Sequence, residues 1–394
     1  MPDNFCIAPF IHLNNTPRGE INPCCVWVGP SVGNMERGIL NAWADDKMVA
    51  LRNQFINNER PKECNECWAV EDANSNQSFR IRANADFKKY LHLKKRLDTP
   101  VWLQLKLGAK CNLTCRTCSS GSSNQWLKAD AIVAYENITN IKVQKKLQRE
   151  HVKNKQQESS FIYEDKFWQE LKELTPTLEY ITFTGGEPLL IDEHYKYLEW
   201  CVENDYAKNI TLDYITNGTV GLDDYKKDLW SNFKQIKIVV SMDGIGKLAE
   251  YIRTGLNWKE AKQNIIDYTD YGRSTWENNF GVTFLVSIYN IYYIEECLKF
   301  YKDNNIRVNI NYLHGPAWQN VRNLPNNIKQ NLSGFNMPTE VINFMHQEAT
   351  EEFTFCDRIK KQEKIHKQAT RKTLNYEKLF PEWWEMLNEN STMR

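Results

Sequence analysis

Between residues 100 and 315 the chain alternates short apolar runs with longer stretches of helical period. Six runs, rich in β-branched and aromatic residues and bounded by turn signals, predict buried strands at 101–107, 180–184, 210–215, 236–242, 282–288 and 308–313. Amphipathic stretches at 167–174, 195–204, 225–233, 258–268 and 294–304 predict helices between them. Strands alternating with helices imply βαβ units, a parallel sheet and right-handed crossovers. Six units in roughly 210 residues are too few for a closed eight-stranded barrel. The expected fold is therefore α/β, a partial (β/α)6 TIM-type barrel over residues 96–318.

Outside this region the rhythm stops. Residues 1–95 read as a small separate N-terminal module. Residues 319–394 read as a helical extension punctuated by Pro325, Pro338 and Pro381. A polar run at 119–165 interrupts the first βα unit and reads as a solvated helical insertion, with a lid or recognition segment as the alternative. In parallel barrels the chemistry gathers at the C-terminal strand ends. The distinctive motifs fall there. Cys111–Cys118 follows the first strand and Gly185-Gly186-Glu187-Pro188 the second. Thr216-Asn217-Gly218 follows the third, and Ser241-Met242-Asp243-Gly244 closes the fourth.

Composition narrows the classes. The chain has 394 residues, and 50 Lys+Arg balance 50 Asp+Glu, so the formal charge is zero. That balance argues against an extended polyanionic partner such as nucleic acid. The charged stretches at 142–155 and 358–372 read as solvated helix faces. No run approaches 18 apolar residues, and the start MPDNFCIAPF lacks the pattern of a signal peptide, so a cytoplasmic protein with reduced thiols and no membrane partner is expected. The eleven cysteines then need a role other than a disulfide framework. Cys201, Cys297 and Cys356 are scattered and read as small core residues. The others cluster.

Cys111, Cys115 and Cys118 form C-x3-C-x2-C on one loop. Three thiolates suit three irons of a [4Fe–4S] cube and leave the fourth iron open to a small chelating molecule. A structural zinc site needs a fourth ligand, and the residues that follow supply no Cys or His. With the Gly-Gly-Glu-Pro run and the Ser-x-Asp strand end, the chain over residues 100–315 resembles the radical S-adenosylmethionine (radical SAM) superfamily. The resemblance implies that Gly185, Gly186, Glu187 and Pro188 hold the SAM amino group. It places Ser241 and Asp243 near the ribose and methionine, with Asn217 at the adjacent strand end. Arg253, in Arg-Thr-Gly, resembles an arginine that pairs with the SAM carboxylate, and Val286 and Asn290 fall near the adenosine pocket. One position departs: Thr117 stands where many members carry an aromatic residue.

Near the N-terminus, Cys6-x12-Gly19-x4-Cys24 is followed by Cys64-x2-Cys67. Four thiolates could close the coordination of a second [4Fe–4S] cluster or hold zinc. The pattern resembles the SPASM and twitch auxiliary-cluster modules. Because the further SPASM cysteines are absent, the match is to the single-cluster twitch form. Its place before the barrel, with Glu71, Ser78 and Arg80 following, resembles twitch-domain radical SAM proteins of marine bacteria and phages. Cys25 is an alternative ligand to Cys24, which the glycine spacing favours. Trp27, Trp43 and Trp68 read as packing.

The resemblance implies a radical SAM oxidoreductase or modifying enzyme with two [4Fe–4S] clusters, one binding SAM and one auxiliary. It would cleave SAM reductively to a 5′-deoxyadenosyl radical and take hydrogen from a peptide, protein or small-molecule substrate. The auxiliary cluster would carry an electron, and a flavodoxin or ferredoxin would serve as reductant. Two alternatives stay open: an RNA- or nucleotide-modifying radical SAM enzyme, and a non-catalytic iron–sulfur electron carrier. No catalytic acid or base is selected; Tyr214, Tyr312 and His314 fall near strand ends.

Overall fold

The structure, a computed structural model, describes residues 3–72, 78–92, 97–157, 161–275 and 279–389. The expected module boundary at 95/96 and residues 158–160 of the polar run lie outside these. Eleven strands occur among the described residues: β1 (His12–Asn15), β2 (Glu20–Asn22), β3 (Gly33–Asn34), β4 (Trp102–Lys106), β5 (Thr114–Cys115), β6 (Tyr180–Thr184), β7 (Thr211–Thr216), β8 (Gln235–Ser241), β9 (Arg253–Thr254), β10 (Phe280–Val286) and β11 (Val308–Tyr312). The six runs predicted as strands are β4, β6, β7, β8, β10 and β11. The chain divides into two compact units. The first is Met1–Lys110, Gln157–Ile215 and Asp223–Lys237; the second is Cys111–Gln156, Thr216–Leu222 and Ile238–Arg394.

In the first unit β4 lies between β1 and β6, parallel to both, with Leu103 opposite Leu13 and Ile181. β6 continues in parallel to β7. β1 turns back into β2, and β3 pairs antiparallel with β2. The turn is made by Gly19, whose φ of 86° favours glycine and whose N–H donates to Thr16 O at 2.9 Å. β1 has no strand signature in the sequence, because His12-Leu-Asn-Asn is short and polar, yet all four residues are buried. Its burial rests on aromatic packing. The His12 ring sits 4.0 Å from Trp102, and Phe87 stacks on the same indole at 4.7 Å. Ile7, Phe10, Leu51 and Phe55 extend this core.

In the second unit β10 runs parallel to β8 and β11, with Val282 opposite both Val240 and Val308. Buried and half-buried residues alternate along β10, the period-2 pattern of a pleated strand. A two-stranded antiparallel ribbon, β5 with β9, sets Cys115 opposite Arg253. The stretch 119–165 carries the helices Leu127–Ala134 and Ile141–Gln157. The C-terminal residues form further helices. One of them, Pro381–Glu389, anchors through Trp383 Nε1, which donates to Ile288 O at 2.7 Å. No described helix is long and apolar enough to cross a membrane.

Candidate functional site

The loop bearing Cys111, Cys115 and Cys118 is fixed by its own hydrogen bonds. Ser123 Oγ donates to Leu113 O at 2.7 Å, and Trp126 Nε1 donates to Cys115 O at 3.0 Å. Cys118 N–H donates to Cys115 O at 3.1 Å. Burial pushes the Cys115 thiol well above its ordinary range, and the neighbouring Cys118 and Cys111 add to the rise. Cys118 is raised by burial and by Cys111. Thiols such as Cys115 and Cys118 that resist ionising suit a cationic iron–sulfur core, which would stabilise the thiolates.

The same unit brings other expected residues to this loop. Asn217, 6% exposed, directs Nδ2 to Cys111 Sγ at 3.7 Å and to Asn112 Oδ1 at 2.9 Å. Arg253 places Nη1 3.9 Å from Cys115 Sγ and Nη2 2.8 Å from Asp243 Oδ2. Burial raises the Asp243 carboxyl, and Arg253 opposes that rise. The contact is an ion pair rather than an aligned hydrogen bond, since Asp243 Oδ2 and Arg253 Nε have no hydrogen-bond partner. Asp243 Oδ1 accepts from Leu285 N at 3.1 Å. Ser241 ends β8, half-buried. Val286 ends β10 fully buried, and its carbonyl accepts from Leu313 N at 3.0 Å. Asn290 is committed to backbone: its Nδ2 donates to Asp243 O at 2.9 Å and Leu285 O at 2.8 Å.

Gly185-Gly186-Glu187-Pro188 lies in the first unit. A Cβ on Gly186 would sit 2.1 Å from Lys110 O, and Gly185 has φ 124°. Gly186 N–H donates to Gly108 O at 3.0 Å, and Glu187 N–H donates to Lys110 O at 2.8 Å. Both glycines are therefore demanded by close backbone packing on 108–110. The Glu187 carboxylate is buried and accepts from Leu189 N at 3.2 Å, capping the turn that Pro188 begins.

The N-terminal thiols also gather. One small cavity is lined by Cys6, Cys24, Cys64 and Cys67 together with Arg80 and apolar side chains. Burial and mutual repulsion raise Cys6 and Cys24 far above the ordinary thiol range and push Cys64 up to about 12. Cys25 is exposed and does not line this cavity. Among the described residues no three His, Cys, Asp or Glu side chains converge on a point as for a single metal ion. The four cysteines share one cavity, so a set of four thiol donors is available there, the number a [4Fe–4S] cluster takes.

Sequence reasoning passed over several residues that support the first loop. His366 Nε2 meets Thr114 O at 2.9 Å and packs edge-on against Trp126. Gln319 and Gln362 both donate to Arg116 O, at 3.1 and 2.9 Å. Arg116 itself stacks on Tyr251 at 3.8 Å. Nothing local in the sequence marks these partners. Tyr214 is wholly buried, with its hydroxyl 3.2 Å from His194 Nε2. Tyr312 stacks on Phe344 at 4.1 Å, and His314 lies edge-on to the same ring.

Comparison with known proteins defines the class. The profile of the radical SAM superfamily matches residues 105–301, and that of SPASM, an iron–sulfur cluster-binding domain, matches residues 6–68. The chain belongs to the radical SAM superfamily and carries its iron–sulfur domain at the N-terminal side. Membership brings S-adenosylmethionine and a [4Fe–4S] cluster, and the SPASM match brings auxiliary iron–sulfur chemistry. A search of curated proteins finds no match. Among solved structures, native anSMEcpe with bound AdoMet is 17% identical over 56% of this chain and 53% of that chain, with a TM-score of 0.35. SuiB of Streptococcus suis is 15% identical over 78% and 61%, at 0.37; the same protein bound to its precursor peptide SuiA is 13% identical over 83% and 66%, at 0.36. The chain thus spans about half the length of the solved relatives first matched.

Proposed function

We propose that this chain is a radical SAM enzyme in which Cys111, Cys115 and Cys118 hold the SAM-binding [4Fe–4S] cluster, and Cys6, Cys24, Cys64 and Cys67 hold a single auxiliary one. The observation that carries the reading is the gathering of Asn217, Asp243 and Arg253 around the three-thiol loop within one unit. When bound, the cluster and SAM supply reductive sulfonium cleavage and a 5′-deoxyadenosyl radical for hydrogen abstraction. The protein's part is to bind, orient and exclude water. Arg253, held by Asp243, presents a planar guanidinium suited to a carboxylate such as that of a methionyl group. Asn217 supplies an amide donor beside Cys111 Sγ. Glu187, capping its own turn, is the acceptor we assign to the SAM amine. Cys24 is preferred over Cys25 because it lines the cavity.

The substrate class we favour is a peptide, protein or small molecule with an inert C–H bond, and the zero net charge supports it over nucleic acid. The protein works where thiols stay reduced, with flavodoxin or ferredoxin as electron donor. The division we assign is an auxiliary-cluster module over 1–95, a barrel over 96–318 and a helical extension over 319–394. Electron paramagnetic resonance of the reduced, reconstituted protein tests the cluster assignment. Added SAM should change the signal of the cluster on Cys111, Cys115 and Cys118. In C111A/C115A/C118A the remaining signal should not respond. A SAM response that survives the triple substitution would refute the assignment.

A further inference from the structure

Among the described residues lining the N-terminal cavity, Arg80 is the only charged one. It is held from behind and from the side. Its Nε donates to Glu71 Oε1 at 3.0 Å, Nη2 pairs with Glu71 Oε2, and Nη1 donates to Phe5 O at 2.9 Å and Asp3 O at 3.1 Å. The guanidinium also lies 5.0 Å from the Trp68 ring. Both members of the ion pair are shielded, with side-chain exposures of 12% for Arg80 and 14% for Glu71. Ser78 links the pair to the helix Phe79–Asp86. Its hydroxyl donates to Glu71 Oε1 at 2.6 Å and accepts from Ile81 N at 3.1 Å as the N-cap. Phe79 and Arg80, the first two residues of that helix, both line the cavity.

We propose that the Ser78–Arg80 turn, braced by Glu71, sets the reduction potential of the cluster on Cys6, Cys24, Cys64 and Cys67. This rests on the assignment of those four thiols above. An iron–sulfur cluster with four thiolates gains negative charge on reduction, so nearby cations and N–H donors to its sulfurs favour the reduced form. Arg80 and the helix N-terminus act in that direction, and Glu71, set behind Arg80, acts against it. The low exposure of the pair limits screening by water, so each sign should be readable. Arg80 and Glu71 are positioning residues that act through the cluster. The device makes the auxiliary cluster a better electron acceptor, as a step that oxidises a substrate radical requires.

The test uses the full chain carrying C111A/C115A/C118A, which leaves one cluster to observe. After anaerobic reconstitution, iron content and a potentiometric titration followed by electron paramagnetic resonance are recorded for this parent and for added Arg80→Gln, Arg80→Lys and Glu71→Gln. The midpoint should move negative in Arg80→Gln, move positive in Glu71→Gln, and stay nearest the parent in Arg80→Lys. A merely structural role would lower iron content or shift both neutral variants the same way, and either result with Glu71→Gln overturns the inference, as does an unmoved midpoint in loaded protein. A parent that takes up no iron overturns the thiol assignment itself and the inference with it.

Discussion

At the scale of single residues, the Asp243–Arg253 pair is the most exacting element near the three-thiol loop. Two nearly buried charges face each other at 2.8 Å, and removing one strands the other. Arg253→Gln should cost about 3 kcal/mol or more of unfolding free energy in the metal-free protein, and D243N/R253Q should recover much of it. Denaturant titration of both single variants and the double variant checks this; a double-variant loss equal to the sum of the single losses would show that the pair is not energetically coupled. Three buried histidines set a pH limit. Burial lowers His12, His194 and His366 from 6.5 to about 4. Each is neutral in the folded state and takes up its proton on unfolding once the pH drops below 6.5. Their contribution is therefore intact above 6.5 and is lost as pH falls from 6.5 towards 4, with a combined slope approaching about 4 kcal/mol per pH unit. Unfolding midpoints across that window should fall steeply. A flat profile between pH 6.5 and 4.5 would contradict the burial of these rings as neutral species.

At the scale of elements, the six parallel strands were legible because their signals are local: an apolar run, then a turn, then a helical period. Gly186 shows how a motif can be legible for an incomplete reason. The resemblance assigns Gly186 to holding the SAM amino group, whereas the backbone of Lys110 already occupies the space a Cβ would need. Gly186→Ala should destabilise by about 1–3 kcal/mol through forced displacement of residues 108–110. A neutral substitution, read by thermal unfolding, would show that the strand end yields. What the sequence hides is long-range pairing. β1 is polar and becomes a strand only through β4. Arg253 meets Cys115 across 138 positions, and His366 meets Thr114 across 252. The isolated histidine carries no local sign of either its burial or its partner. Through His366 and Gln362 the helix Phe355–Thr370 grips the three-thiol loop. His366→Ala should speed loss of the SAM-binding cluster in air while the auxiliary cluster persists. Loss of both at equal rates would show that the helix acts on general stability alone.

At the scale of the whole molecule, the cysteine ledger separates into two sets of thiols with different surroundings. One set lies on a loop beside a paired guanidinium and an amide, with three sulfurs. The other walls a cavity with four. Three sulfurs would leave a coordination position for SAM and four would leave none, so under the proposed assignment one cluster would initiate the radical and the other would carry electrons. Cys201, Cys297 and Cys356 are buried, in keeping with their reading as core residues. The reconstituted chain should hold about eight irons, falling to about four in C111A/C115A/C118A. The measurement that bears most directly on the account is reductant-dependent release of 5′-deoxyadenosine from SAM by the reconstituted protein, beside the same assay on C111A/C115A/C118A. Release is expected from the former and none from the latter. Silence from protein holding both clusters, or release that survives the triple substitution, would contradict it.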